Sequence, residues 1–359
     1  MPSELPFHSS AGRKFMSSTS DEKIDFVLTW VDPSDPGWQR EKAKYQEKVS
    51  EEEDSLRYRD WGTLRYWFRG VEKFAPWVNS IYFVTCGQVP SWLDTDNPKL
   101  KLVNHADYIP SKYLPTFSSN AIDLNFHRIP SLSEHFVRFD DDMFLTSAVK
   151  PGDFFLRGLP RAVGVLDAGR IGGIYRDGEK VDVDRMFFTP ATDVALINRN
   201  FEKKRVIALN PGKWFSPRYG RKIIKNLLLL PFGKFSAFES CHLPYPYLKS
   251  SFEEVWAKEG EVLDGTCSHR FRVGTDANHW LICYWQLCEG KFVPRNLKDG
   301  RSFSISDAEK DSIIRAIGNG SYKMVCLNDC YTGNEFEVMR DSIISAFDTL
   351  LGEKCSFEK

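Results

Sequence analysis

The stretch His135 to Phe144, HFVRFDDDMF, sets three consecutive carboxylates, Asp140, Asp141 and Asp142, at the end of an apolar, strand-like run. Three adjacent anions repel one another, so a cation is expected beside them. Hard oxygen ligands suit Mg²⁺ or Mn²⁺, and the carboxyl end of a strand in an α/β sheet is where such an ion meets a nucleotide diphosphate. The alternative for an isolated Asp-Asp-Asp is a solvated turn capping the next helix. Two later clusters add complementary groups. Cys241-His242-Leu243-Pro244 puts His242 just before a proline-fixed turn, and SHRFRVGTDANHW (268–280) supplies His269, Arg270, Arg272, Asp276, Asn278 and His279. A histidine near neutral pKa accepts the proton of a hydroxyl nucleophile, and arginine holds phosphate oxygens in a bidentate fork. Singly, each reads as a satisfied structural residue; together with the acidic cluster they read as a site.

The elements that must position these groups are legible from Ile24 onward. IDFVLTWV (24–31) is apolar and β-branched and breaks at DPSDPG (32–37), a buried strand followed by a loop. Ligand clefts open at the carboxyl ends of parallel strands, which makes Trp30 and Asp32 candidate contacts. Residues 39–55 are highly charged and read as a solvated helix or loop. Leu64, Trp67, Phe68, Val71 and Phe74 recur at helical spacing until Pro76. SIYFVTCG (80–87) and KLKLVNH (99–105) read as strands, FSSNAIDLNFHRI (117–129) as a helix capped by Ser118 or Ser119, and HFVRFDDD as the fourth strand. This order predicts an α/β sheet with its acidic cluster at a strand's carboxyl end.

Composition narrows the class. Lys plus Arg number 48 against 49 Asp plus Glu, so no global field favours nucleic acid and electrostatic recognition must be local. Aromatic residues make up 14%, enough for sugar-facing platforms, although an aromatic core explains them first. Eight scattered cysteines match no zinc motif, and the N-terminus lacks the apolar core of a signal peptide. A cytoplasmic protein with free thiols is expected, its Ser-rich first residues forming a flexible leader. From Lys203 to Phe238 no acidic residue occurs, while nine are basic. Within that span, RKIIKNLLLLPFGKF is an apolar run flanked by cations, as a segment lying on an anionic membrane surface would be; a buried helix with a basic exposed side is the alternative.

The segments IDFVLTWVDPSDP (24–36), RYRDWGTLRYWFRGVEKFAPWVNSIYFVTCGQVPSWLDTDNPKLKLVNHADYI (57–109), LPTFSSNAIDLNFHRIPSLSEHFVRFDDDMF (114–144), HLP to SHRFRVGTDAN (242–278) and MVCLNDC to CSFE (324–358) resemble, in order, the blocks of the Stealth family. That family includes bacterial capsular and exopolysaccharide hexose-1-phosphate transferases and the catalytic subunit of the animal N-acetylglucosamine-1-phosphotransferase. The short spacers between blocks resemble the compact bacterial type.

The resemblance implies a Rossmann-like, GT-A-like mixed sheet flanked by helices, completed by a mostly helical C-terminal part. It implies four parts: a leader (1–22), a nucleotide-sugar-binding core (23–200), a basic and apolar insertion (201–240) and a part supplying catalytic residues (241–359). The implied reaction moves a sugar-1-phosphate from a UDP-sugar to a hydroxyl of a polysaccharide or lipid-linked glycan, releasing UMP, with Mg²⁺ or Mn²⁺ as cofactor and a peripheral contact with the inner face of a bacterial plasma membrane. Asp141 and Asp142 match the family's acidic pair and take the metal and diphosphate, with Asp276 as a further ligand or support for the base. Asp140 stands where animal members carry Asn, so its carboxylate is expected to be dispensable or to act only as a hydrogen-bond acceptor. His242 matches the first histidine of a His-x-Pro-His element and becomes the general base; the second is replaced by Tyr245. Arg272 clamps the diphosphate, and Asp142 joins it and His242 among the catalytic residues. Substrate contacts fall to Trp30, Asp32, Arg65, Arg69, Ser118, Ser119, Asn120 and His269. Two other functions compete: an ordinary glycosyltransferase, which attacks the anomeric carbon and releases UDP, and a non-catalytic subunit of a polysaccharide synthesis complex.

Overall fold

The computed structural model describes residues 22–46, 58–169, 175–176, 179–180 and 189–359. The leader up to residue 21 and the charged stretch beyond residue 46 therefore lie outside the described residues, whereas Pro36–Ala43 forms helix α1.

Strand β1 (Ile24–Thr29) is apolar on both faces and takes the centre of the main sheet. It pairs in parallel with β2 (Ile81–Thr85) and β4 (His135–Phe139), and β2 pairs in parallel with β3 (Leu100–Asn104). Tyr245–Leu248, here β6, adds to the outer edge of β4 in antiparallel fashion. Alternation along the strands sends Phe26, Leu28, Val137 and Phe139 into one core and Val27 and Phe136 into another on the opposite face. Helix α2 (Leu64–Phe74) covers the first core, and α3 (Ser119–Leu124), α4 (Thr189–Asn200), α5 (Lys203–Leu209), α7 (Lys249–Ser268) and α8 (His279–Cys288) cover the second.

The chain changes sheet at the acidic triplet. After Asp142, β5 (Met143–Leu145) leaves the main sheet and pairs antiparallel with β8 (Met324–Asn328), which pairs in parallel with β7 (Gly300–Ser304). Helix α2 approaches β5 so closely that a Cβ at Gly70 would stand 2.9 Å from the Leu145 carbonyl oxygen. Helices α9 (Lys310–Gly318) and α10 (Phe336–Leu351) pack on this side.

The mixed α/β sheet flanked by helices agrees with the sequence reading. Across residue 240 the parts interlock: β6 completes the main sheet, and among the described residues β5 pairs only with a strand from the C-terminal part. That part is mostly helical and also contributes β6, β7 and β8.

Candidate active site

Arg138 is buried inside β4, between the apolar Val137 and Phe139. Asp123 of α3 meets it from one side, with Nε at 2.9 Å and Nη2 at 2.7 Å from the same carboxylate oxygen. Asp140 meets it from the other, gripped by Nη1 at 2.9 Å and Nη2 at 2.6 Å. Burial works against the charge of Arg138, but the two carboxylates outweigh it and the guanidinium stays firmly protonated. Burial pushes Asp123 up to about 6, against the pull of Arg138. For Asp140 the balance is reversed: burial alone would raise it, yet Arg138, with His242 and Arg272 nearby, holds it below the usual carboxylate range.

Among the described residues, the two carboxylates that follow have no such partner. The Asp142 carbonyl accepts from Leu327 N–H of β8 at 2.9 Å, and its Oδ2 lies 3.4 Å from the Cys326 thiol. Its Oδ1 is buried with no hydrogen-bond partner. Burial and the charges of Asp140 and Asp141 push the Asp142 carboxyl well above its ordinary value. Asp141 opens to solvent at the cleft but stands deep among protein atoms; that crowding, with Asp140 adjacent, pushes it up to about 7. An orphaned buried oxygen beside a second carboxylate, both disfavoured as anions by like charge, fits a hard divalent cation.

His242 stands over this corner. Its backbone is in the left-handed region (φ 43°), with its N–H donating to Ser240 Oγ at 3.3 Å. A ring nitrogen lies within 4.8 Å of ligand atoms on Asp142 and Cys326. Burial lowers its pKa below the ordinary 6.5 in spite of Asp140, so the imidazole is neutral at physiological pH. The cleft in front encloses about 540 Å³, room for a nucleotide-sized ligand, and is lined also by Trp30, Ser119, Asn120, Arg272, Asn278 and His279.

Residues 22–50 match the family model for Stealth protein CR1, conserved region 1, and residues 57–161 that for Stealth protein CR2, conserved region 2. The chain is 41% identical over 341 residues to the capsular polysaccharide phosphotransferase WcwK of Streptococcus pneumoniae, spanning 94% of this chain and 98% of that protein. It is 43% identical over 345 residues to the receptor polysaccharide phosphotransferase WefC of Streptococcus oralis, at 94% and 99%. To the exopolysaccharide phosphotransferase cps2G of Lactiplantibacillus plantarum it is 39% identical over 350 residues, at 97% and 100%. The chain belongs to the Stealth family.

The Stealth fold gathers Trp30, Ser119, Asn120, Asp141, Asp142, His242 and Arg272 around one cleft and places the other expected residues elsewhere. Arg69 is buried under the C-terminus, its Nε and Nη2 on Glu358 at 2.6 and 2.9 Å and its Nη1 on the carbonyls of Leu351 and Gly352 at 2.9 and 3.2 Å. Arg65 stacks over Trp92 and lies 3.7 Å from the same glutamate. Neither arginine is at the cleft; each is consumed by a partner nearly 300 residues away in sequence. Asp276, expected as a metal ligand, is buried with both oxygens engaged: Oδ1 on His269 Nδ1 at 2.7 Å, Oδ2 accepting from Val273 N–H at 2.9 Å and Asn120 Nδ2 at 3.4 Å. It braces the loop before α8, and His269, its partner, is drawn away from the cleft. The Asp32 carboxylate closes a turn on Ser34, and Ser118 is buried beneath the site rather than lining it.

Sequence reasoning missed Arg138 and Asp123, the pair that seats Asp140. The signal was a lone arginine within the run HFVRF, since a buried guanidinium requires carboxylate partners. It also passed over the role of His279, which lines the cleft with Nδ1 held by the Tyr247 hydroxyl at 2.8 Å.

Proposed function

We propose that this polysaccharide phosphotransferase moves hexose- or N-acetylhexosamine-1-phosphate from a UDP-sugar to a glycan hydroxyl, with release of UMP. The observation that carries the reading is the placement of His242, a ring nitrogen within 4.8 Å of the Asp142 carboxylate with its unsatisfied oxygen, in a cleft that also holds Arg272. The acceptor hydroxyl attacks the phosphorus nearer the sugar, and His242 accepts its proton. Arg272 neutralises charge building on the diphosphate, while Arg138 fixes Asp140 and so keeps the base and the acidic corner in register. Asp141 and Asp142 would hold Mg²⁺ or Mn²⁺, which supplies Lewis-acid stabilisation of the diphosphate. Trp30, Ser119 and Asn120 line the same cleft and are proposed as donor contacts. The acceptor is a polysaccharide or lipid-linked glycan of capsule or exopolysaccharide synthesis, which implies a cytoplasmic enzyme meeting the inner face of the plasma membrane.

The test is nucleotide product analysis with purified protein, Mg²⁺ or Mn²⁺, a panel of UDP-sugars and a mixed oligosaccharide acceptor. UMP together with a phosphate-bearing glycan is expected. UDP would mean attack at the anomeric carbon instead.

A further inference from the structure

Helix α6 (Ile223–Leu229), in the acid-free basic segment, is amphipathic in the opposite sense to an ordinary surface helix. Its polar side chains point inward. Asn226 is buried, accepting from Leu166 N–H at 2.6 Å and donating to the carbonyls of Gly164 at 2.8 Å and Trp214 at 2.5 Å. Lys222, just before the helix, and Lys225 turn back onto Glu239 at 2.7 Å each, and Lys225 also reaches Asp167 at 2.6 Å. Ile224, Leu227 and Leu228, at helical spacing, face outward, and with Leu209 and Phe232 each is more than half exposed. Among the described residues these five are half of the ten exposed large apolar side chains. Exposed Lys204, Arg205, Arg218 and Arg221 come from the same segment.

We infer that this face docks on an anionic lipid bilayer. A fixed apolar ridge flanked by cations, with no acidic residue between Lys203 and Phe238, matches an acyl boundary beneath negative headgroups. No helix of the described residues is long and apolar enough to cross a membrane, so the contact is peripheral. The inference deepens the transferase reading and rests on it for its purpose. Glu239, which anchors both lysines, precedes His242 by three residues, a Cα span of no more than about 11 Å. A docked bilayer would thus lie one helix away from the segment that carries the proposed base, where a carrier-borne acceptor arrives. Lys222, Lys225, Leu229 and Leu230 hold the helix to the protein, so the membrane-facing set is Ile224, Leu227, Leu228 and Phe232 with Arg218 and Arg221.

The experiment is flotation of the full chain with vesicles of phosphatidylglycerol and phosphatidylcholine, against phosphatidylcholine alone. The wild type is expected to float with the anionic vesicles only. I224S/L227S/L228S/F232S and, separately, R218Q/R221Q should each lower binding about tenfold, with a cooperative melting transition near that of wild type as evidence of folding. Absence of wild-type binding, or binding unchanged in both variants, overturns the inference. So does a wild-type dimer that the serine variant converts to monomer, since the face would then join two copies. Vesicle binding is read without turnover, so failure of the transferase reading leaves this result independent.

Discussion

Two arginine–carboxylate groupings, one on α2 and one on β4, look alike in chemistry and differ in completeness. At the C-terminus, Arg69 and Glu358 satisfy each other in a bidentate pair, and the remaining guanidinium nitrogen is taken up by main-chain carbonyls. At the end of β4, Arg138 satisfies Asp140 in the same manner, but among the described residues no basic side chain pairs with Asp141 or Asp142, and one Asp142 oxygen is buried and unpartnered there. The closed grouping stabilises the fold; the open one holds unfavourable charge that a ligand would relieve. Incompleteness, rather than residue type, separates a site from a brace.

The largest effect should come from the open grouping. Asp142→Asn removes the orphaned anion, and loss of cation-assisted stabilisation, worth several kcal/mol, is expected to lower turnover by about a thousandfold or more. Thermal stability without divalent cation should stay the same or rise. Steady-state transfer and melting curves of the one variant check both; a large drop in melting temperature would make Asp142 a structural residue and break the contrast. His242→Gln should cost about a thousandfold in transfer while UDP-sugar binding, read by calorimetry, is kept. Turnover near wild type would move the proton acceptor to His279, the other histidine at the cleft.

The closed grouping predicts the reverse signature. Arg69→Ala leaves Glu358 buried without its partner, and unfolding should become easier by about 3 kcal/mol, with the rate per folded molecule unchanged. Denaturant unfolding measures the first and active-site-normalised transfer the second. A matching loss of turnover in a stable variant would restore Arg69 as a substrate contact.

Much of this was legible beforehand. β1 and β2 announced themselves as apolar runs rich in β-branched and aromatic residues, and the acidic triplet lay at a strand end because the HFVRF run stopped there. What stayed hidden was pairing over distance. Nothing near Arg65 and Arg69 in sequence signals Glu358, which sits in the last two residues of the chain, and nothing in SHRFRVGTDANHW shows that Asp276 spends its oxygens on His269, Val273 and Asn120. The apolar run within RKIIKNLLLLPFGKF likewise did not say which of its side chains would face outward. Burial is a property of the whole fold, and local spacing is silent about it.

The smallest effect is also the most discriminating, since the two groupings shift their carboxyls in opposite directions. Asp141 is raised from an ordinary 3.8 to about 7 by burial and the neighbouring Asp140. Between those values the unfolded chain releases a proton that the folded one retains, so this contribution to stability is present below about 3.8 and is lost as pH rises toward about 7. Glu358 is held below its ordinary 4.5: burial opposes, but Arg69 prevails. Its contribution is present above 4.5 and is lost as pH falls through its lowered value. With a chelator present, the melting temperature of Asp141→Asn relative to wild type should therefore climb from pH 4 to pH 7.5, and that of Glu358→Gln should fall from pH 3 to pH 5, each by a few degrees. Added Mg²⁺ should flatten the first curve and leave the second untouched, because only the open grouping has a place for a cation. Two curves of the same slope, or a Mg²⁺ effect on both, would show that the groupings do not differ in the way their hydrogen bonds imply.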